Sequence, residues 1–336
     1  MRFEAGESEA GRRLDRILKK ILKGASLSFI YKTIRKDVKV NGKRVPPETL
    51  LTPGDIVEIF LPDDQISASQ KGTVLVAHQK GPIVAAKEKL AVIFEDENVL
   101  VVNKPYGLLT HGDAIEKKDT LANRVISYLS QAGVYVPGGT RAYTPAPASR
   151  LDRNTTGLVL FGKNYPAARD LATMMGRSDC IEKAYLTVVK GRITDSMRLS
   201  ARMVRDSDKN VTKVLPDAAA EGREMITEVC PLSAGKGYTL VEARLLTGRT
   251  HQIRVQLAEA GFPIIGDRKY GNKETNRKMS QKYGLQAQLL HACRLRVTSG
   301  IGSLEYLTGE TFRAQPPAEF SEIAEDLECS KTETEN

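Results

Sequence analysis

Apolar and polar positions fall into two textures along the chain. In residues 11–23, GRRLDRILKKILK, Leu14, Ile17, Leu18, Ile21 and Leu22 share one helical face, while Arg12, Arg13, Arg16, Lys19, Lys20 and Lys23 occupy the rest. That spacing predicts an amphipathic helix with a basic outer surface. A second helix is predicted from Ser28 to Lys36, opening on a serine cap and packing Phe29, Ile30, Thr33 and Ile34. VKVNGKRV then turns at Asn41 and Gly42, a hairpin signal, and DIVEIFLP follows Pro53 and Gly54 as a further strand. Residues 1–62 thus predict a small α/β domain. Residues 63–87, rich in Gln, Ser, Gly and Lys without sustained periodicity, read as a linker.

From residue 90 the apolar runs become strand-like. LAVIFEDENVLVVNKPYG gives two strands about a turn at Glu95–Asn98, LANRVISYLSQAG a helix closed by Gly133, GLVLFGK a core strand, and Asn164 caps the helix PAARDLATMMG. EKAYLTVVKG is a strand, EMITEVCPL and YTLVEARLL an antiparallel pair, and LLHACRLRV and SLEYLTGETF the last strands. Strands outnumber helices and short turns join several of them. Residues 88–318 therefore predict an α+β domain with a mixed, largely antiparallel sheet flanked by helices.

Composition removes whole classes of chemistry. The chain has 336 residues, 41% hydrophobic and 27% charged, with no apolar run of the about 18 residues a membrane span needs. Its start, MRFEAGESEAGRR, has no apolar segment of the signal-peptide kind, so a cytoplasmic protein without membrane attachment is expected. Cys180, Cys230, Cys293 and Cys329 form no CxxC pair, and His78, His111, His251 and His291 have no ligand spacing, so neither a metal site nor a disulfide framework is expected. With no GxxxxGK[ST] loop and no strand-linked GxGxxG, the reaction is expected to run on side chains without a cofactor.

The net charge of +9 is unevenly spread: residues 12–44 carry twelve Lys or Arg against Asp15 and Asp37, while residues 319–336 carry seven acids against Lys331. The first stretch suits a phosphate backbone, and the last reads as a solvated, disordered tail.

One stretch concentrates candidate chemistry. In SRLDRNTTGLVLFG, Asp152 stands between Arg150 and Arg153, on a polar turn that leads straight into a buried strand, where a reactive group gains from rigid positioning. A turn carboxylate paired with a neighbouring arginine would read the same way. Tyr185 interrupts the apolar strand EKAYLTVVKG, with Lys183 on its face by the period of two. In LLTGRTHQIRVQLAEAG, Thr250 is expected to cap a helix whose first turn holds Arg254, a cation poorly placed for the helix dipole and so in want of an anion such as Asp152. His111 and His251 read as structural or supporting groups, Lys104 as a phosphate contact or a solvated lysine, and Lys269 and Tyr270 as part of a turn near the cleft.

Two resemblances follow from these motifs. GRRLDRIL, IYKTIRK, VKVNGKRV and LTPGDIVEI resemble the small RNA-binding domain of the fourth ribosomal small-subunit protein, which implies RNA contacts at Arg12, Arg13, Arg16, Lys32, Arg35, Lys36, Lys43 and Arg44. VLVVNKPYGLLTH, SRLDRNTTGLVLFGK, KAYLTVVKG, LLTGRTHQIRVQLAEAGFPIIGDRKYG and LLHACRLRV resemble, in order, the pseudouridine synthases of the RluA, RluC and RluD type. The resemblance implies a pseudouridine-synthase domain that isomerises uridine without a cofactor, in large-subunit ribosomal RNA of the 23S type or in tRNA. It implies a monomer with RNA as partner and no obligate protein partner.

Position by position it implies catalytic roles for Asp152, Tyr185 and Arg254, base ejection by Arg150, and substrate contacts at Arg153, Lys104, His111 and Arg249. Ser149, Asn154 and Gln256 depart from the family pattern, and those departures bear on substrate choice. The chemistry fits the residues, since a carboxylate can serve glycosidic cleavage as nucleophile, base or charge stabiliser. A tyrosine can stack on uracil and assist loss of the C5 proton, and a flipped base needs cationic contacts. Two other readings fit in part: a non-catalytic RNA-binding or assembly factor, and a glycosidase, for which no second acid lies near Asp152.

Overall fold

A computed structural model describes residues 1–6, 9–22, 25–61, 90–113, 116–135, 143–206, 211–215 and 222–329. The expected linker at 63–87 lies outside them. The chain divides into two compact units: Met1–Leu90 with Ala122–Ala146 and Gly162–Arg169, and Ala91–Leu121 with Pro147–Phe161 and Asp170–Asn336. The first unit thus takes in segments beyond the expected domain boundary.

In the first unit, helix α1 (Leu14–Ile21) buries Leu14, Ile17 and Leu18, the stripe the sequence spacing demands. Helix α2 (Leu27–Asp37) buries Ile30 and Ile34, and its cap is Ser26, whose hydroxyl accepts the Phe29 N–H at 3.2 Å. The helix therefore starts one residue before the expected Ser28. Strands β1 (Arg2–Glu4), β2 (Val38–Val40) and β3 (Ile56–Ile59) form an antiparallel sheet in the order β1-β3-β2. Asn41 (φ 50°) and Gly42 (φ 74°) make the left-handed pair of a tight turn. The expected second hairpin arm reduces to one bridge, Val40 to Lys43, because Pro46 and Pro47 have no N–H for a ladder.

The second unit is built on a ten-stranded sheet. Its strands are β4 (Val92–Glu95), β5 (Val99–Lys104), β6 (Thr156–Gly162), β7 (Ile181–Lys190), β8 (Met197–Asp206), β9 (Val211–Leu215), β10 (Arg223–Gly235), β11 (Tyr238–Leu245), β12 (Leu290–Val297) and β13 (Thr311–Arg313). The order is β4-β5-β6-β12-β7-β11-β10-β8-β9, with β13 on β12. β6 and β12 run parallel, while β4–β5, β12–β7, β7–β11, β11–β10, β10–β8, β8–β9 and β12–β13 run antiparallel, so the sheet is mixed and largely antiparallel, as expected. Successive residues face opposite sides. Val189 and Val241 pack with Ile253 and Leu257 of a helix at Gln252–Glu259, while Val188 and Leu240 pack with Met279 of a helix at Lys273–Tyr283 and with Phe320 and Ile323.

Phe320 and Ile323 belong to a helix at Ala318–Asp326, which corrects the expectation of a disordered tail from residue 319. Phe320, Ile323, Ala324 and Leu327 form an apolar stripe hidden among the acids, and it is buried. SLEYLTGETF is also mostly not a strand: Gly302–Leu307 is a 3-10 helix and β13 covers three residues. Strands β8 and β9 and the helix at Lys273–Tyr283 have no counterpart in the sequence expectation.

Candidate active site

Strand register brings the first two candidates together. Ala292 of β12 pairs with Gly157 of β6 on one side and with Tyr185 of β7 on the other. The approach at Gly157 admits no side chain, since a Cβ there would stand 2.3 Å from the Ala292 carbonyl oxygen, and its φ is 111°. Asp152 lies on the loop entering β6, and both of its neighbours are tied down. Thr110 Oγ1 donates to the Leu151 carbonyl at 2.8 Å and accepts the Leu151 N–H at 3.1 Å. Lys104 Nζ, fully buried, donates to the carbonyls of Pro105 (3.0 Å), Leu108 (2.8 Å) and Arg153 (2.9 Å). Lys104 is therefore neither a phosphate contact nor a solvated lysine, which corrects that expectation. Burial pushes its ammonium down to about 7, against the pull of the Asp152 charge.

Arg254 sits in the first turn of the Gln252–Glu259 helix and is buried. Its Nη1 donates to Asp152 Oδ2 at 2.7 Å, as its position against the helix dipole suggested. Its Nε and Nη2 donate to Asp267 Oδ2 and Oδ1 at 2.7 and 2.9 Å, a two-pronged pair that fixes the guanidinium plane. Asp267 is fully buried and also accepts the N–H groups of Lys269 (2.9 Å) and Tyr270 (3.1 Å). Burial alone would raise its carboxyl, but the Arg254 hydrogen bonds and charge hold it below the usual range. Burial opposes the Arg254 charge too, and the two aspartates outweigh it, Asp267 first.

The helix is not capped by Thr250. Its N-cap is His251, in the left-handed region at φ 58° and without a side-chain cap bond. The imidazole Nε2 stands 3.8 Å from Asp152 Oδ2, and Nδ1 lies 2.9 Å from the Tyr270 hydroxyl. Burial lowers His251 to about 4, with Asp152 opposing the shift. Tyr185 is half-buried; burial, then the Asp152 charge, push its hydroxyl up, so it stays a phenol at neutral pH. Lys183 instead donates to the Met175 carbonyl at 3.1 Å.

The remaining expected contacts spread over the rim or away from it. Arg150 is exposed, and its charge, after partial burial, lowers the nearby His111 imidazole. Arg153 is exposed and pairs with Asp113 at 3.2 Å, and Arg249 is exposed with Nε 3.4 Å from the Glu224 carbonyl. Gln256 points into the fold: Oε1 accepts the Thr227 hydroxyl at 2.7 Å and Nε2 donates to the Leu199 and Met225 carbonyls at 3.0 and 3.2 Å. Its departure from the family pattern is thus internal and leaves the rim unchanged. In the first unit, Arg13 pairs with Asp15 at 2.9 Å and the Arg12 guanidinium lies 4.4 Å over the Tyr165 ring, so both are engaged within the protein. Arg16, Lys32, Arg35, Lys36, Lys43 and Arg44 are exposed, and Lys32, Arg35 and Lys36 line a basic depression with Ser28 and Tyr31. Among the described residues no group of three His, Cys, Asp or Glu is placed to hold a metal ion, and no helix is long and apolar enough to cross a membrane.

The sheet and its order define the class first. The fold is that of the pseudouridine synthases, shared with human RNA pseudouridylate synthase domain containing 4 (22% identity, TM-score 0.55, covering 70% of this chain and 92% of that one) and domain containing 1 (20%, TM-score 0.50, covering 75% and 98%). Residues 98–259 match the family model for RNA pseudouridylate synthase. The proteins named ribosomal large subunit pseudouridine synthase C from Escherichia coli K12 and Yersinia pestis are each 33% identical, over 92% of this chain and 90% and 89% of theirs. That of Pasteurella multocida is 33% identical over 93% of this chain and 88% of its own. The chain belongs to the RNA pseudouridylate synthase family, enzymes that isomerise uridine in RNA.

Proposed function

We propose that the chain isomerises uridine to pseudouridine at chosen sites of large-subunit ribosomal RNA, with Asp152 as its catalytic carboxylate and Arg254 and Tyr185 beside it. The observation that carries this reading is the chain of contacts from buried Asp267 through Arg254 to Asp152. It holds Oδ2, while Oδ1 accepts no hydrogen bond from the described residues and is left for substrate. A carboxylate so held is fixed in orientation, as nucleophilic attack at C1′, proton abstraction or stabilisation of a cationic ribose each requires.

The reaction breaks the N1–C1′ bond, turns the uracil and joins C5 to C1′; the C5 proton leaves and N1 gains one, so no net redox change occurs. Tyr185, kept as a phenol, supplies a stacking face and a hydroxyl donor. In this reading exposed Arg150, whose charge reaches His111, offers the cationic contact that a base turned out of its stack needs. The resemblance of the N-terminal sequence to the S-four RNA-binding domain, together with the exposed cations on α2, supports RNA docking there. In this reading the protein works in the cytoplasm as a monomer on RNA.

Carbodiimide mapping of ribosomal RNA and tRNA from cells with and without the gene tests the proposal. Loss of one or a few large-subunit sites is expected. Unchanged rRNA, together with purified protein that modifies no uridine in deproteinised rRNA, would leave a binding role instead.

A further inference from the structure

Residue 251 occupies a left-handed N-cap, a backbone state uncommon for residues other than Gly and adopted most readily by Asn, Asp and His. A histidine there caps nothing, since its side chain makes no bond to the helix N–H groups. The conformation aims the ring elsewhere: its side chain is 7% exposed and Nε2 faces Asp152 Oδ2 at 3.8 Å. The other nitrogen is tied by a built contact. Tyr270 Oη accepts the Thr212 N–H at 2.8 Å, which leaves the phenol proton for His251 Nδ1 at 2.9 Å. A proton donated to Nδ1 assigns the neutral ring its own proton on Nε2, the nitrogen that faces the carboxylate. Thr212 Oγ1 in turn donates to the Thr250 carbonyl at 2.9 Å, so β9 holds both the tyrosine and the turn that carries the histidine.

We propose that His251, oriented by Tyr270 and Thr212, is a positioning residue that offers a neutral N–H to Asp152 Oδ2 beside the charged N–H of Arg254. The proposal rests on the reading of Asp152 as the catalytic carboxylate. Two donors on one oxygen set the rotation of the carboxylate about its Cβ–Cγ bond and leave Oδ1 turned to substrate. The 3.8 Å separation is longer than a hydrogen bond, and catalytic contacts of this length tighten when substrate fills the site. The groups facing the ring are Asp152 from its loop, Arg254 from the helix, and Asp267, Lys269 and Tyr270 from the turn after Ile265.

The test compares His251→Asn, His251→Gln and Tyr270→Phe in the full chain, by tritium release from C5-labelled RNA, with thermal unfolding as the check on folding. Asn keeps the left-handed backbone but lacks the reach; Gln restores a neutral N–H donor at similar reach. His251→Asn is expected to lower kcat by about 10–100-fold with KM within about twofold, and His251→Gln to recover part of that loss. Tyr270→Phe is expected to move the acid limb of the kcat profile to higher pH, since the ring loses the donor that favours its neutral form. Full kcat in His251→Asn, a loss confined to KM, Gln no better than Asn, or an even loss across pH in Tyr270→Phe would each overturn the proposal. If His251→Asn fails to fold, Tyr270→Phe carries the test alone. Asp152→Asn with wild-type turnover would instead overturn the reading on which the proposal rests.

Discussion

Asp267→Ala probes the anchor of the site without touching Asp152. The wild-type carboxylate is fully buried and takes two N–H donors from Arg254 at 2.7 and 2.9 Å and two from the backbone at 2.9 and 3.1 Å. Removing one partner of a buried ion pair costs about 3–5 kcal/mol. Arg254 keeps Asp152, whose side chain is 27% exposed, so the lower end applies: about 3 kcal/mol. Because the Asp267 carboxyl is held below its usual value, this contribution is complete above the unfolded-state pKa near 4. It fades as the pH falls through the lower native value.

Two assays read the prediction. Urea unfolding at pH 7 should show the loss of about 3 kcal/mol, and the gap between wild type and variant should narrow below about pH 4. Tritium release should fall by about 10–100-fold, because the guanidinium that holds Asp152 Oδ2 is no longer held itself. The double variant Arg254→Met with Asp267→Leu should recover most of the stability and none of the turnover. A single variant within about 1 kcal/mol of wild type and within twofold of its rate would refute the reasoning.

Two further outcomes follow. Gly157→Ala forces a Cβ to 2.3 Å from the Ala292 carbonyl at a φ of 111°. Its cost should exceed about 2 kcal/mol by urea unfolding, and turnover should fall as β6 moves away from Tyr185; an unchanged midpoint contradicts it. Lys104 sheds its proton near pH 7 when folded but near 10.5 when unfolded, so the unfolded state binds more protons between those values and stability rises with pH. From pH 7 to 8.5 that amounts to about 1.5 kcal/mol, and Lys104→Met should remove this slope while loosening the loop that its three hydrogen bonds hold.

Much of the fold was legible because its signals are local. Leu14, Ile17 and Leu18 announce a helix face, Asn41–Gly42 a turn, and the unbroken run Leu158–Phe161 a central strand, buried throughout. The Asp152–Arg254 pair was legible as well, because a cation at a helix N-terminus needs an anion. What was hidden depends on tertiary context. Asp267 sits in GDRKYG as an ordinary turn residue, and nothing in its neighbours foretells the Arg254 fork. Lys104 ends a strand as many solvated lysines do, and its burial follows from three carbonyls supplied by two separate loops. The stripe of Phe320, Ile323, Ala324 and Leu327 was masked by the acids between them, which count toward charge but lie on the solvent side.

The central claim is that Asp152 carries the chemistry, and tritium release from C5-labelled ribosomal RNA by wild type and Asp152→Asn tests it most directly. The substitution keeps size and shape and leaves RNA binding, measured alongside, unchanged. Release by the wild type and none above background by the variant, with equal affinity for the RNA, is the expected result. Release by Asp152→Asn at the wild-type rate would contradict it.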